Sequence, residues 1–101
     1  MLKVTINSLQ GQKLATPMVV FIKTRINVDA EKNRLICSFT QSDTQDGTNN
    51  VDYVGFKRGA VIQDNPSLPA KATDLIGMGE TIVKNWIVSL NLPQVVSTDS
   101  I

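Results

Sequence analysis

The hydrophobic period changes once along this chain, and that change limits the folds open to it. Between residues 18 and 41 apolar side chains recur at every second position, the spacing of a half-buried β-strand. Met18, Val20, Ile22, Ile26 and Val28 share one face with Thr24, while Val19, Phe21, Lys23, Arg25 and Asn27 share the other. Asp29-Ala-Glu-Lys-Asn33 supplies turn residues, and Arg34 to Gln41 resumes the alternation. On this second strand Leu35, Cys37 and Phe39 oppose Arg34, Ser38 and Thr40, which share their side with Ile36. From Glu80 to Asn91 the spacing becomes helical: Ile82, Val83, Trp86, Ile87 and Leu90 form a stripe, and Glu80, Lys84, Asn85 and Ser89 face away. A sheet with one apolar face and one amphipathic helix can satisfy each other. The expected fold is therefore α+β, an antiparallel sheet built from hairpins with a C-terminal amphipathic helix packed on or across it.

The rest of the chain fills in around these elements. Residues 2–7 alternate and predict a short strand, Ser8 to Pro17 a loop, and Ser42 to Asn50, which holds no apolar residue, a long exposed loop. Val51 to Ile62 predicts a third main strand bent near Gly55 or Gly59, followed by a connector with Pro66 and Pro69. A helical turn over 71–76 is expected to end at Gly77-Met-Gly79, so that Glu80 opens the main helix at the positive end of its dipole and Pro93 stops it. Val88, off the apolar stripe, hints at a second contact surface. No repeat or composition shift divides residues 1–101, which predicts a single domain with a C-terminal extension over 92–101. That polar extension has no core of its own, so either a neighbouring subunit or docking onto its own domain is expected to hold it.

The residue inventory argues against catalysis. The chain contains no histidine, which removes the usual general base, the Ser-His and Cys-His pairs and the commonest zinc ligand. Cys37 is the only cysteine, so no intrachain disulfide can form, and mid-strand it fits a small core residue better than a nucleophile. Asp43-Thr-Gln-Asp-Gly-Thr-Asn-Asn50 gathers oxygen ligands, but its spacing is not that of a calcium loop and no Glu closes it, so a solvated turn is the better reading. Gly77-Met-Gly79 before a helix suggests a phosphate-binding turn, yet Ile82 stands where the third glycine belongs. Most carboxylates fall in turns or helix ends, where solvation and capping explain them. The expectation is a protein that is not an enzyme, with no cofactor, no metal and no small-molecule substrate. The longest apolar run, Met18 to Ile22, is far too short to span a membrane, and the alternating first residues are not those of a signal peptide.

Charge points to a local feature only. Ten Lys and Arg stand against nine Asp and Glu, a net charge of +1. Six of those cations, Lys23, Arg25, Lys32, Arg34, Lys57 and Arg58, lie between positions 23 and 58. The simplest hairpin register gathers Lys23, Arg25 and Arg34 with Ser38 and Thr40 on the polar sheet face. There, cations can meet phosphates, and hydroxyls can meet sugar or base edges. Tyr53 is a candidate base-stacking residue and Lys57 a further phosphate contact. Any sheet covered on one side is polar on the other, so a merely solvated face stands beside this reading. Ile82, Trp86, Val88 and Leu90 are the candidate oligomer contacts, with Ile82, Trp86 and Leu90 expected to pack on a sheet and to be buried in large part only by assembly.

The order of these elements resembles that of the coat proteins of small single-stranded RNA bacteriophages. The likeness rests on the hairpin of 18–41, the strand at 51–62, the helix beginning Glu80-Thr-Ile-Val-Lys84, and the ending Val95-Val-Ser-Thr-Asp-Ser-Ile101. It implies a homodimer whose helices cross onto the partner's sheet, a shell of many copies assembled in the host cytoplasm as a virion, and RNA on the sheet's inner face. The expected function is thus a self-assembling structural protein, a capsid subunit with an RNA-facing basic surface. The alternatives are a small nucleic-acid-binding module or another phage structural subunit, of a tail or head-completion kind.

Overall fold

The computed structural model describes all residues, Met1 to Ile101. It holds six strands and one helix in the order β1 (Leu2–Leu9), β2 (Gln12–Asp29), β3 (Arg34–Ser42), β4 (Asn50–Val51), β5 (Ala60–Asp64), α1 (Ala72–Ser89) and β6 (Val95–Ser100). The strands form one antiparallel sheet in the order β4-β3-β2-β1-β6, with β5 also pairing to β3. Two hairpins make its centre. In one, β2 and β3 pair without interruption from Phe21↔Ser42 to Asp29↔Arg34. The alternation over 18–41 predicts only which residues share a face, and the observed register keeps that parity, because a slip by one residue would turn the whole apolar set to water.

The core lies between one sheet face and the helix. Leu2, Val4 and Ile6 from β1, Val20 and Ile22 from β2, Leu35, Cys37 and Phe39 from β3, and Val83 and Ile87 from α1 are buried together with Val54. Trp86 joins them from the side, with its ring 5.4 Å from Phe39 and 5.4 Å from Phe56. Phe39 and Phe56 meet edge to face at 5.5 Å. Burial without any charged partner pushes the Cys37 thiol pKa up, as desolvation of its ionised form requires.

Several expectations are corrected here. The segment Ser8 to Pro17 is mostly strand: β1 turns at Gln10 and Gly11, both at positive φ, and β2 begins at Gln12. Pairing jumps from Ile6↔Met18 to Ser8↔Lys13, so residues 14–17 bulge opposite Asn7, and Pro17, which has no N–H, sits in that irregular stretch. Residues 51–62 do not form one bent strand. They divide into β4 and β5, separated by a loop over 52–59. Gly77-Met-Gly79 does not interrupt a helix but lies inside α1, which starts at Ala72. Gly79 is there because the helix presses on β2: a Cβ at this position would fall on Ile26 Cδ1. Glu80 is accordingly mid-helix, where its carboxylate meets the Met1 amine. Leu90 is the C-cap rather than part of the helix.

The C-terminal extension needs no neighbour to hold it. Residues 95–100 form β6, which pairs with β1 from Leu2↔Ser100 to Ile6↔Val95. Ile82 and Trp86 pack partly buried against the subunit's own core, so their cover does not wait for an oligomer. Leu90 and Val88 are different, being 38% and 60% exposed.

Candidate nucleic-acid interface

Because α1 covers one sheet face, side chains of opposite parity form an open second face. The register sets them in rungs across β2, β3 and β5: Lys23 beside Thr40, then Arg25, Ser38 and Ala60, then Asn27, Ile36 and Ile62, and last Asp29, Arg34 and Asp64. Phe21 continues the face above Lys23, between Lys3 on β1 and Ser42 on β3.

The charges on this face are not equivalent. Arg34 lies opposite Asp29 on one side and Asp64 on the other, with its Nε 3.2 Å from Asp64 Oδ1. That approach is poorly aligned for a hydrogen bond, so the pair is a Coulombic contact, and a half-exposed one of small worth. Lys3 faces Asp99 across the β1–β6 ladder. Lys23 and Arg25 have no carboxylate opposite them on β3. Their neighbours are the hydroxyls of Thr40 and Ser38. The Ser38 hydroxyl makes only a long contact to the Arg25 carbonyl, at 3.5 Å. A shallow groove of about 370 Å³ runs between these groups, lined by Lys23, Arg25, Ser38, Thr40 and Asn50 with the edge of Phe39.

Two local devices shape the groove's upper end. The loop after β3 folds back so that Gly47 packs on the aliphatic stem of Lys23, with 3.3 Å from a Cβ placed at Gly47 to Lys23 Cδ. The loop keeps its own shape because the Asp46 carboxylate accepts from the Thr44 hydroxyl at 2.7 Å, the Thr48 hydroxyl at 2.8 Å and the Thr48 N–H at 3.1 Å. Those donors hold the Asp46 pKa below the ordinary carboxylate value. Its oxygens thus serve the turn, as the solvated reading of 43–50 expects.

The second device is Gln41, a buried amide on the helix-side face. Its Oε1 accepts from the Tyr53 N–H at 3.1 Å and the Val54 N–H at 2.9 Å, and its Nε2 donates to Asp52 Oδ1 at 3.1 Å. From the other side Gln94 Nε2 donates to the Val54 carbonyl at 2.9 Å. This clamp fixes the 52–59 loop in the gap between β4 and β5. Lys57 and Arg58 project there over a second groove, about 410 Å³, which Thr40 and Asn50 also line.

Of the residues singled out from sequence, Lys23, Arg25, Ser38 and Thr40 come together on the open face. Arg34 shares the face but lies four residues along β3 from Ser38, about 13 Å away at a strand rise near 3.3 Å, and carboxylates flank it. Tyr53 is on the helix side, packed partly buried against the core. That position does not offer its ring to a base on the open face. Lys57 stands on the edge loop, adjoining the face through Thr40. Asn50 and Arg58 line the grooves as well; Arg58 is one of the six clustered cations though not among the candidate contacts, and Asn50 is in neither set. Asn50 ends a polar loop that reads as featureless, and only its pairing with Ser42 brings it here. Phe21 is the aromatic on the open face. Its parity with Lys23 and Arg25 was a visible signal for that.

No protein-family model, no curated protein and no solved structure matches this chain. No helix is long and apolar enough to cross a membrane.

Proposed function

We propose that this protein is a self-associating structural subunit, a coat protein in kind, that binds single-stranded RNA along its open sheet face. The observation that supports it best is the pair Lys23 and Arg25. They are exposed side by side without opposing carboxylates, above hydroxyls that can reach sugar oxygens, on the face the helix leaves free. Cations so placed take phosphates of any sequence, and Phe21 offers a ring on the same face for a base to stack on. A role in binding rather than catalysis fits both the lack of histidine and the shallow form of the grooves. The layout likeness to the coat proteins of small RNA phages makes a capsid in a virion the form of assembly we propose. In this chain α1 lies on its own sheet, so assembly would not require the helix to cross to a partner.

A small RNA-binding module that forms no shell is the second reading. It is favoured by one observation: β6 is held by β1 of the same subunit rather than by a neighbour. Light scattering of the purified protein, with and without a single-stranded RNA about 20 nucleotides long, separates the two. Defined higher oligomers support the coat reading. An 11.0 kDa monomer that binds RNA one to one supports the module. A monomer with no RNA affinity at low salt removes both.

A further inference from the structure

Where the 52–59 loop meets the end of α1 there is a groove of about 380 Å³ that Lys23 and Arg25 do not line. Its lining is Phe56, Trp86, Leu90 and Leu92 together with Lys57 and Arg58. That volume falls within the range of ligand sites, about 300–1,000 Å³. The walls are fixed in place. Gln41 and Gln94 hold the backbone of Tyr53 and Val54, just before Phe56. The Phe56 and Trp86 rings stand 5.4 Å apart, and Phe39 backs both. Leu90 follows the last helical residue and is left 38% exposed, so the free subunit presents apolar surface to water here. Covering such surface favours association.

The cations of this groove have no carboxylate partner. Both are exposed, and neither belongs to the chain's two ion pairs, Met1–Glu80 and Arg34–Asp64. Asp52, the carboxylate of the same loop, accepts from Gln41 instead, and no acidic side chain lines the groove. The remaining lining sets it apart from the open face. The groove between Lys23 and Arg25 offers the hydroxyls of Ser38 and Thr40 and the Asn50 amide, whereas this one has no hydroxyl or amide side chain. A nucleotide seated here would leave sugar and base edges unpaired, which is costly once they are desolvated. An apolar side chain flanked by carboxylates would leave nothing unpaired. Leucine and aromatic neighbours cover the first, and Arg58 can take a carboxylate through two parallel N–H donors. We propose that the groove receives an acidic, leucine- or phenylalanine-bearing segment of a partner protein. The apolar side chain sits against Trp86, Leu90 and Leu92, and the flanking Asp or Glu carboxylates meet Lys57 and Arg58. This goes beyond the RNA reading and stands without it. Lys57 and Arg58 also line the groove shared with Thr40 and Asn50, so RNA is the rival occupant.

Trp86 is the only tryptophan of the chain, so its emission reports on this groove. The probe is the hexapeptide acetyl-Asp-Glu-Leu-Phe-Glu-Asp-amide, titrated to about 1 mM, the weak end of measurable association. Two control peptides each remove one half of the recognition. Ser-Ser in place of Leu-Phe keeps the charge, and Lys in place of every acid keeps the apolar pair. The protein variants are Lys57→Glu combined with Arg58→Glu, and Leu90→Ser, with folding checked by circular dichroism. The expected result is a saturable change in Trp86 emission with the probe, at least tenfold weaker for both control peptides and for both variants. A wild type that shows no saturable response to the probe overturns the proposal. Equal binding of the Ser-Ser control overturns it too, by reducing the site to a charged patch. Single-stranded RNA is titrated in parallel. If RNA rather than the probe changes Trp86 emission, and Lys57→Glu with Arg58→Glu abolishes that change, the groove belongs to nucleic acid and the proposal falls.

Discussion

Replacing Gln41 tests whether the edge loop is held as described. In Gln41→Leu the side chain still fills its site, but the Val54 and Tyr53 N–H groups lose their acceptor and Asp52 loses its donor. The Val54 N–H is buried and cannot turn to water, so it carries the full penalty of an unsatisfied donor, about 1–3 kcal/mol. The Tyr53 N–H is only partly buried and can be rehydrated, which limits its share to about 1 kcal/mol, the net worth of an ordinary hydrogen bond. A total near 3 kcal/mol is a large part of the ~5–15 kcal/mol available to such a domain. For a domain of this size it corresponds to a fall in Tm of roughly 12–24 °C. Gln41→Glu keeps both acceptor bonds but sets a carboxylate against Asp52, so it should be destabilised by less at neutral pH. Like charges raise the pKa of one member of the pair. The penalty is therefore present above that raised value and shrinks, relative to wild type, as the pH falls through it. Calorimetry of the three proteins at several pH values is the assay. A loss under about 1 kcal/mol in Gln41→Leu, or a Glu variant weaker than the Leu variant, would refute the clamp.

Other consequences are simpler to measure. Ile87→Ala, at a fully buried helix position facing the sheet, should cost about 2–5 kcal/mol in denaturant unfolding, by the same amount at low and high protein concentration. A cost that appears only at high concentration would mean that the helix packs on a partner's sheet. Cys37 should resist thiol reagents in the folded protein and react once it is unfolded. Because its folded pKa is raised, its contribution to stability is complete below the unfolded thiol's value of about 8.5 and declines as pH rises past it. Arg34→Ala should leave RNA affinity nearly unchanged, because Asp29 and Asp64 already offset that charge; an RNA-affinity loss matching that of Arg25→Ala would contradict its separation from the site.

The parts of this fold that could be read from the chain are those in which a residue's neighbours in sequence decide its surroundings. Strict alternation in β2 and β3 sets Lys23 and Arg25 on one face of their strand and Ser38 and Thr40 on one face of theirs, whatever the pairing. The misread parts depend on partners distant in sequence. Gly77 and Gly79 look like helix breakers, yet α1 runs through both, and at Gly79 packing against Ile26 requires the smallest residue. Val95 to Ser100 shows little pattern, since an edge strand is fixed by β1 rather than by its own apolar face. Tyr53 looked available for stacking. Gln41, twelve residues earlier in the chain, holds its backbone on the other side of the sheet.

The salt dependence of RNA binding tests the proposed function most directly. Single-stranded RNA affinity would be measured by fluorescence anisotropy between 50 and 300 mM salt for wild type and for Lys23→Glu combined with Arg25→Glu. Both side chains are exposed, so the double variant should keep its fold with a stability change within about 1 kcal/mol. If each cation neutralises one phosphate, the slope of log affinity against log salt should shrink by about 1.4, near 0.7 for each contact on a single strand. The loss of affinity should be similar for RNAs of unrelated sequence. An unchanged slope and affinity in the folded double variant would contradict the account and leave this face a solvated surface.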